Sequence, residues 1–460
     1  MTTTHRRARS DKQEEQPHLV RTGSATGARV RLSVYDLVTG PISIPRVFYY
    51  RRTLDGEALR ASLSRVLRHY PLVTGRLKRD PDGGMSVLCD DSGVLFVESA
   101  LTEQMPDPPV DEPAAPDLRR FYREWLPFRV VDRDQPLLTV KLTHMAGGGS
   151  VLGVAINHSI TDGAGLLALL ENWSHEHRGL EYPPPCEDRR LLDNLGEGAP
   201  PAALLDNGRF AVARRGAKLA FVARLITSTG RLSTVTVHFT PGEIDAMKAA
   251  ATAELLGTGR WVSANDAFTA HLWQVLGELR ARPGGSAEKL GLVVGLRSVF
   301  GDTLPPGYWG NPITNAQITM TADELRTRSL AAVAEAVRGG LGPDAPAVVR
   351  DEIAFLAAQR EAGRSARVMS RTAFDTFDNT VGINNRSRFP YYRIDLGEGA
   401  PFRADFPAIP VPWMLDIMPT PTEDGGRLVH MRLPRAQADA LREQPWQARL
   451  HAYAPARLRS

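Results

Sequence analysis

The chain has 460 residues, 42% hydrophobic and 23% charged, and its 56 Lys plus Arg against 52 Asp plus Glu leave a formal net charge of +4. Such a composition excludes a disordered, collagen-like or disulfide-stapled chain and bounds the protein at two or three cores or one large two-lobed fold. The charge surplus is small and scattered, which argues against a nucleic-acid partner, and with only Cys89 and Cys186 a reducing compartment, the cytoplasm, is expected. No apolar run is long enough to span a bilayer, and no apolar stretch follows Arg6-Arg7, so residues 1–18 read as a disordered tail rather than a signal. Neither a membrane nor an export route is expected.

Helix and strand patterns alternate along the chain, which predicts a mixed α/β fold. Leu59, Leu63, Val66, Leu67 and Tyr70 lie on one helical face behind a candidate N-cap at Asp55, with Leu54 and Leu59 spaced as a hydrophobic staple. Leu138, Val140 and Leu142 alternate with polar residues as a half-buried strand. Gly147-Gly148-Gly149 then supplies a turn, and the apolar run from Val151 to Ile156 reads as a strand buried on both faces. Residues 178–231 are rich in Pro and Gly and read as a long connection whose apolar stretch, Leu219 to Ile226, packs or forms a helix. Ser263 and Asp266 form a capping box before a second helix, and further helices are expected over 323–338 and 346–362.

The buried strand delivers Asn157 and His158 to its end, followed by Thr161-Asp162-Gly163 and a helical run through Leu166, Leu167, Leu170 and Trp173. Histidine, with an ordinary pKa near 6.5, can take a proton from a hydroxyl or amine at neutral pH. Asp162, four residues on, can fix the ring or the loop. The same pattern equally fits a satisfied core histidine and an aspartate that merely caps the next helix. No clustered ligand set points to a metal, and His175 and His177, two apart on a helix, read as solvated. There is no nucleophile elbow, no phosphate loop and no strand-linked dinucleotide fingerprint, so direct transfer with a general base is favoured over covalent catalysis.

These residues resemble the BAHD acyltransferases, within the coenzyme-A-dependent acyltransferase superfamily. His158-Ser159-Ile160-Thr161-Asp162-Gly163 is similar to the HxxxDG motif, and Leu32-Ser33-Val34-Tyr35-Asp36 resembles the early LSxxD segment. Leu59 through Tyr70-Pro71-Leu72 to Gly75-Arg76-Leu77 looks like the family's first helix and strand. Val262 to Ala267 and Ala270 to Trp273 resemble the start of its second half. Gly307-Tyr308-Trp309-Gly310-Asn311 resembles GYxGN, and Asp395-Leu396-Gly397-Glu398-Gly399 stands where DFGWG belongs.

The resemblance implies a two-lobed chloramphenicol-acetyltransferase-like α/β fold, each lobe a mixed sheet flanked by helices, with the active site in a channel between them. The expected division is 19–180 for the N-terminal lobe, 181–231 for the connection and 232–460 for the C-terminal lobe. The implied reaction moves an acyl group from acyl-CoA, as cosubstrate, to a hydroxyl or amine of a small molecule, with His158 as general base, no acyl-enzyme and no tightly bound cofactor. Asp162 and Arg297, in Gly295-Leu296-Arg297, are implied as a structural ion pair that Asp395 shares. Asn384, in Gly382-Ile383-Asn384-Asn385-Arg386, stands at the family's oxyanion donor. Arg386 replaces a tryptophan, and it and Arg388 become candidate CoA-phosphate contacts. Asn157 stands where peptide-synthetase condensation domains usually carry a second histidine, which favours a free-standing CoA-dependent enzyme over one with a carrier-protein partner; a monomer is expected. A carrier-protein donor, a base-assisted cyclisation or isomerisation, and a non-catalytic ligand-binding relative are the alternatives. Tyr308, Trp309, Tyr391 and Trp413 suit an apolar substrate but fit core packing better.

Overall fold

The structure, a computed structural model, describes residues 15–455 apart from 113–116, 199–204, 215, 302, 343, 378 and 408. The strands that position the site are, in chain order, β1 (Gln16–Val20), β2 (Ser43–Tyr50), β3 (Val94–Gln104), β4 (Leu138–Ala146), β5 (Ser150–Asn157) and β6 (Leu232–Phe239). They continue with β7 (Ala287–Gly295), β8 (Ile313–Thr321), β9 (Thr380–Asn385), β10 (Arg403–Asp405), β11 (Met414–Pro419) and β12 (Arg427–Pro434). Two mixed six-stranded sheets result, ordered β1-β3-β4-β5-β2-β10 and β6-β12-β11-β9-β7-β8. Every residue of β5 is buried, because β5 sits inside the first sheet with both faces covered; this is why its sequence is apolar without alternation. The turn from β4 to β5 runs through Gly147, Gly148 and Gly149 at φ of 78, 104 and 85°, a left-handed path that side chains rarely adopt.

Helices cover the sheets: α1 (Gly56–Val66), α2 (Gly163–Arg178), α3 (Ala217–Thr229), α4 (Ala264–Arg280), α5 (Ala322–Thr327), α6 (Leu330–Arg338) and α7 (Ala345–Glu361). Asp55 caps α1 by accepting from the Glu57 and Ala58 amides, and Ser263 with Asp266 closes the expected capping box on α4. The expected helix over 323–338 is two helices, because Ser329 accepts from the Ala332 amide and starts α6 afresh. The apolar stretch of the connection does form a helix, α3, but leaves Leu219 and Ile226 at 74% and 71% exposure instead of packing them. His177 is not solvated: its Nδ1 meets the Ser62 hydroxyl at 2.9 Å. Tyr308, Trp309, Tyr391 and Trp413 are all buried in the cores.

The sheet-and-helix cores do not follow the two halves of the chain. β10 comes from the C-terminal half yet pairs antiparallel with β2, from Arg403 opposite Tyr49 to Asp405 opposite Val47. Tyr391, Ile394 and Leu396 likewise pack into the core around α1 and α2. At the start of the chain Gln16 already pairs with Glu98 in the sheet, so the expected tail is shortened from its C-terminal end; residues 1–14 lie outside the described residues. Among the described residues no helix is long and apolar enough to cross a membrane.

Candidate active site

β5 ends at Asn157, whose side chain accepts from the Ser159 amide at 3.0 Å and turns the chain back. His158 follows at this turn, its own amide donating to the Ile42 carbonyl at 2.7 Å. Nδ1 of His158 lies 2.9 Å from Oδ1 of Asn311. The amide nitrogen of Asn311 donates to Oδ1 of Asp36 at 2.7 Å and to the His158 carbonyl at 2.7 Å. Both of these are acceptors, so the Asn311 oxygen must face the imidazole, and Nδ1 must carry the hydrogen. The tautomer is thereby fixed: Nε2 keeps its lone pair and has no partner among the described residues. Burial holds the ring below the ordinary histidine range, partly opposed by Asp162 and Asn311. A neutral imidazole with a free Nε2 is a base at neutral pH.

The rear of this arrangement is tightly paired. Asp36 is fully buried, closes a capping box with Ser33, and has Nε of Arg189 3.5 Å away. Arg189, also buried, donates to the Ile160 carbonyl at 2.5 Å and to the Trp309 carbonyl. A Cβ on Gly310 would fall on the Arg189 guanidinium, so the Gly307–Asn311 segment needs glycine there. The Asp162 amide donates to the Gly310 carbonyl at 3.0 Å, which pins the two motif loops together.

Asp162 unites the two roles that its sequence left open. It caps α2 by accepting from the Gly165 amide at 2.7 Å, and it receives Arg297 at 2.8 and 3.3 Å. Arg297 also donates to the Tyr308 carbonyl at 3.0 and 2.9 Å. Asp395 does not share this arginine, a correction to the expected pairing. It caps a turn by accepting from the Gly397 and Gly399 amides and stands 3.7 Å from Arg178. The glycines at positive φ that follow Asp395 give it a local task.

In front of His158 lies a cavity of about 370 Å³, walled among others by Ile44, Arg46, Asn384, Arg386, Phe389 and Phe406. Asn384 therefore does face the histidine's cavity. Its amide oxygen accepts from the Arg386 guanidinium at 3.0 and 3.2 Å in the orientation that satisfies both groups, which leaves the NH2 for the cavity. Arg386 itself turns inward: it is 4% exposed, pairs with Asp416 and lies over the Phe406 ring at 4.5 Å. Arg388 is exposed and lines a second cavity of about 690 Å³ with Asn265, Ser298, Arg338 and Arg427. Burial and the neighbouring Arg388 push Arg427 down to about 10. This second cavity shares Val293 and Phe389 with the first. A third, of about 810 Å³, shares Arg119, Phe406 and Pro407 with the first. The His158 cavity thus adjoins two others through different wall residues.

Asn311, Asp36, Arg189, Arg46 and Asp416 were given no role by the sequence. Asp36 and Asn311 belong to segments that it did single out. Their meeting with His158, 275 residues apart in the chain for the first two, has no local signal.

The profile of the family described as "Transferase family" matches residues 22–447. Shikimate O-hydroxycinnamoyltransferase of Nicotiana tabacum is 28% identical over 86% of this chain and 90% of its own length. Putrescine hydroxycinnamoyltransferase 1 of Oryza sativa subsp. japonica is 26% identical over 89% of this chain and 93% of its own. Among solved structures, TRI101 of F. sporotrichioides complexed with coenzyme A and T-2 superimposes with a TM-score of 0.72 at 19% identity, covering 91% of this chain and 98% of that one.

Proposed function

This chain belongs to the BAHD acyltransferases of the Transferase family, enzymes that transfer acyl groups from acyl-CoA to hydroxyl or amine acceptors, and we propose that in it His158 is the general base. The acceptor's O–H or N–H donates to Nε2. As the acceptor atom attacks the thioester carbonyl carbon, its proton passes to Nε2, and the negative charge collects on the carbonyl oxygen. The NH2 of Asn384 donates to that oxygen. Collapse of the tetrahedral intermediate breaks the C–S bond and returns the proton from Nε2 to the departing CoA thiolate, leaving ester or amide.

The observation that carries this reading is the Asn311 amide, which holds the hydrogen on Nδ1 and so aims the lone pair of Nε2 at the cavity. Acyl-CoA is read as entering from the side of Arg388 and Arg427. No carboxylate among the described residues pairs with either arginine, so both are open to phosphate. The acceptor is read as entering through the third cavity. Shikimate and putrescine, in the names of the two relatives, span the range from hydroxyl to amine. Asp162, Arg297 and Asp395 are read as architectural. The chain is further read as a cytoplasmic monomer, with Cys89 and Cys186 as free thiols.

Calorimetric titration of CoA and acetyl-CoA into wild type and His158→Ala, followed by turnover assays, tests the proposal. Both proteins are expected to bind with similar affinity, while the variant loses at least about 100-fold in turnover with its fold intact. Near-wild-type turnover by His158→Ala would remove the base from the mechanism.

A further inference from the structure

Arg46 is a buried cation in the wall of the His158 cavity, and the protein gives it no counter-ion. It is 5% exposed. Nε donates to the Tyr391 hydroxyl at 3.2 Å and Nη1 to the Pro45 carbonyl at 2.6 Å. Its Cζ lies 5.3 Å from the Phe406 ring centre, and no carboxylate among the described residues comes within ion-pair distance. The remaining nitrogen, Nη2, has no hydrogen-bond partner among the described residues. It faces Gly163, where an added Cβ would sit 3.4 Å from it.

The acids around it are committed elsewhere. Asp416, whose field reaches Arg46, is paired with Arg386, so these three groups together carry one surplus positive charge. Asp162 belongs to Arg297. Glu124, also in the wall, is held towards its neutral form by burial. A second source of positive potential converges on the same place. Gly163 and Ala164 open the 16-residue helix α2 and line the cavity; the Asp162 side chain caps only the Gly165 amide. Their two amides have no acceptor within the helix and add the positive end of its dipole. An unpaired buried cation is costly unless a ligand completes it. The unpaired charge on Arg46 suits one anionic group, with Arg119 also in the wall acting on Glu124, and the flanking Phe389 and Phe406 rings suit an apolar or aromatic body behind it.

We propose that Arg46, with the first amides of α2, anchors a carboxylate carried by a substrate beside His158. The inference rests on the acyl-transfer reading, because the carboxylate can arrive in two ways: on the acceptor, or at the far end of a dicarboxylic acyl group. The CoA phosphates are not meant, since Arg388 and Arg427 lie in the neighbouring cavity.

The test is equilibrium binding by calorimetry, in two arms, on the full chain as wild type and Arg46→Gln. One arm compares benzoate and 4-hydroxybenzoate with their amides; the other compares glutaryl-CoA with valeryl-CoA. In one arm the carboxylate member is expected to bind wild type at least about tenfold more tightly than its neutral partner, and Arg46→Gln is expected to erase that ratio. A preference in the first arm assigns the carboxylate to the acceptor; one in the second assigns it to the acyl group. Absence of any preference in wild type, in both arms, overturns the proposal without reference to a variant. A ratio that survives in Arg46→Gln overturns it too, by moving the anchor elsewhere. Should the glutamine variant fail to fold, Arg46→Lys is expected to keep part of the ratio, and an undiminished ratio there counts against the guanidinium. Turnover is not needed for any arm. Loss of acyl transfer therefore breaks the parent reading alone, and transfer without carboxylate preference breaks this one alone.

Discussion

The two sides of His158 are built on opposite electrostatic plans. Behind the ring, Asp36 faces Arg189, Asn311 bridges carboxylate and imidazole, and the backbone carbonyls of Ile160 and Trp309 accept from the two terminal guanidinium nitrogens, while Nε of Arg189 meets Asp36 only as an ion pair. Charge is balanced there, and the geometry has one solution. In front of the ring, Asp416 pairs with Arg386 alone, Arg46 has no carboxylate within ion-pair distance, and Nη1 of Arg386 is buried without a partner among the described residues. The contrast separates two tasks. A balanced network holds an atom in place whatever is bound, whereas an unbalanced one is completed by what binds.

Each plan can be broken separately. The largest stability effect is expected from Asp416→Asn, which strips the buried Arg386 of its charge partner and should cost about 3 kcal/mol; urea denaturation followed by circular dichroism reads it. An unchanged midpoint would mean that Arg386 does not depend on Asp416. Asn311→Ala attacks the rear instead, and the loss there should be catalytic, about 100-fold in kcat, because the ring is free to take the wrong tautomer. The pH profile sharpens this. Burial depresses the His158 pKa, so the acid limb of kcat/KM in wild type should fall below 6.5, the neutral base surviving into mildly acidic solution. In Asn311→Asp a carboxylate facing Nδ1–H favours the imidazolium, and the limb should move to higher pH. A limb that stays in place would show that position 311 does not tune the base.

Asp162→Asn comes next, at about 1–2 kcal/mol of stability together with reduced activity. Asparagine can still cap α2, while Arg297 keeps only the Tyr308 carbonyl. Equal melting temperatures would reduce Asp162 to a cap. The smallest effect is expected from Asp395→Asn, within about 0.5 kcal/mol. Its turn contacts need only one oxygen, and its distance to the partly exposed Arg178 is long. A large loss of activity in that variant would put Asp395 back into the site.

What the sequence disclosed of this contrast follows from how each feature is encoded. The β5 run, the cap at Asp55 and the capping box at Ser263 are local, so their residue pattern carried them directly. His158, Asp162 and Arg297 were legible through motif spacing. The arrangement of charges around them was not. Asp36 and Arg46, Asn311, and Asp416 come from three distant stretches of the chain, and each reads alone as an ordinary polar residue of a strand, helix or loop. The Asp395 expectation failed for the same reason. The resemblance assigned it to Arg297, far away in the chain, while the glycines at 397 and 399 gave its carboxylate a nearer use. Arg386 was read by its charge as a candidate CoA-phosphate contact, and only the fold brings Asp416 to meet it.

The strand β10 has a consequence for how this chain is made. Its partner β2 ends at Tyr50, but residues 403–405 are added only about 350 residues later in the chain. Until then the sheet that bears the base has an open edge at Val47–Tyr49, together with a core lacking Tyr391, Ile394 and Leu396. Folding during translation must therefore wait, with a long closure still to be made. A nascent chain stalled before residue 400 is exposed to pairing of that edge with another chain. For the same reason a gene cut between the two halves should yield fragments that are soluble together and not apart.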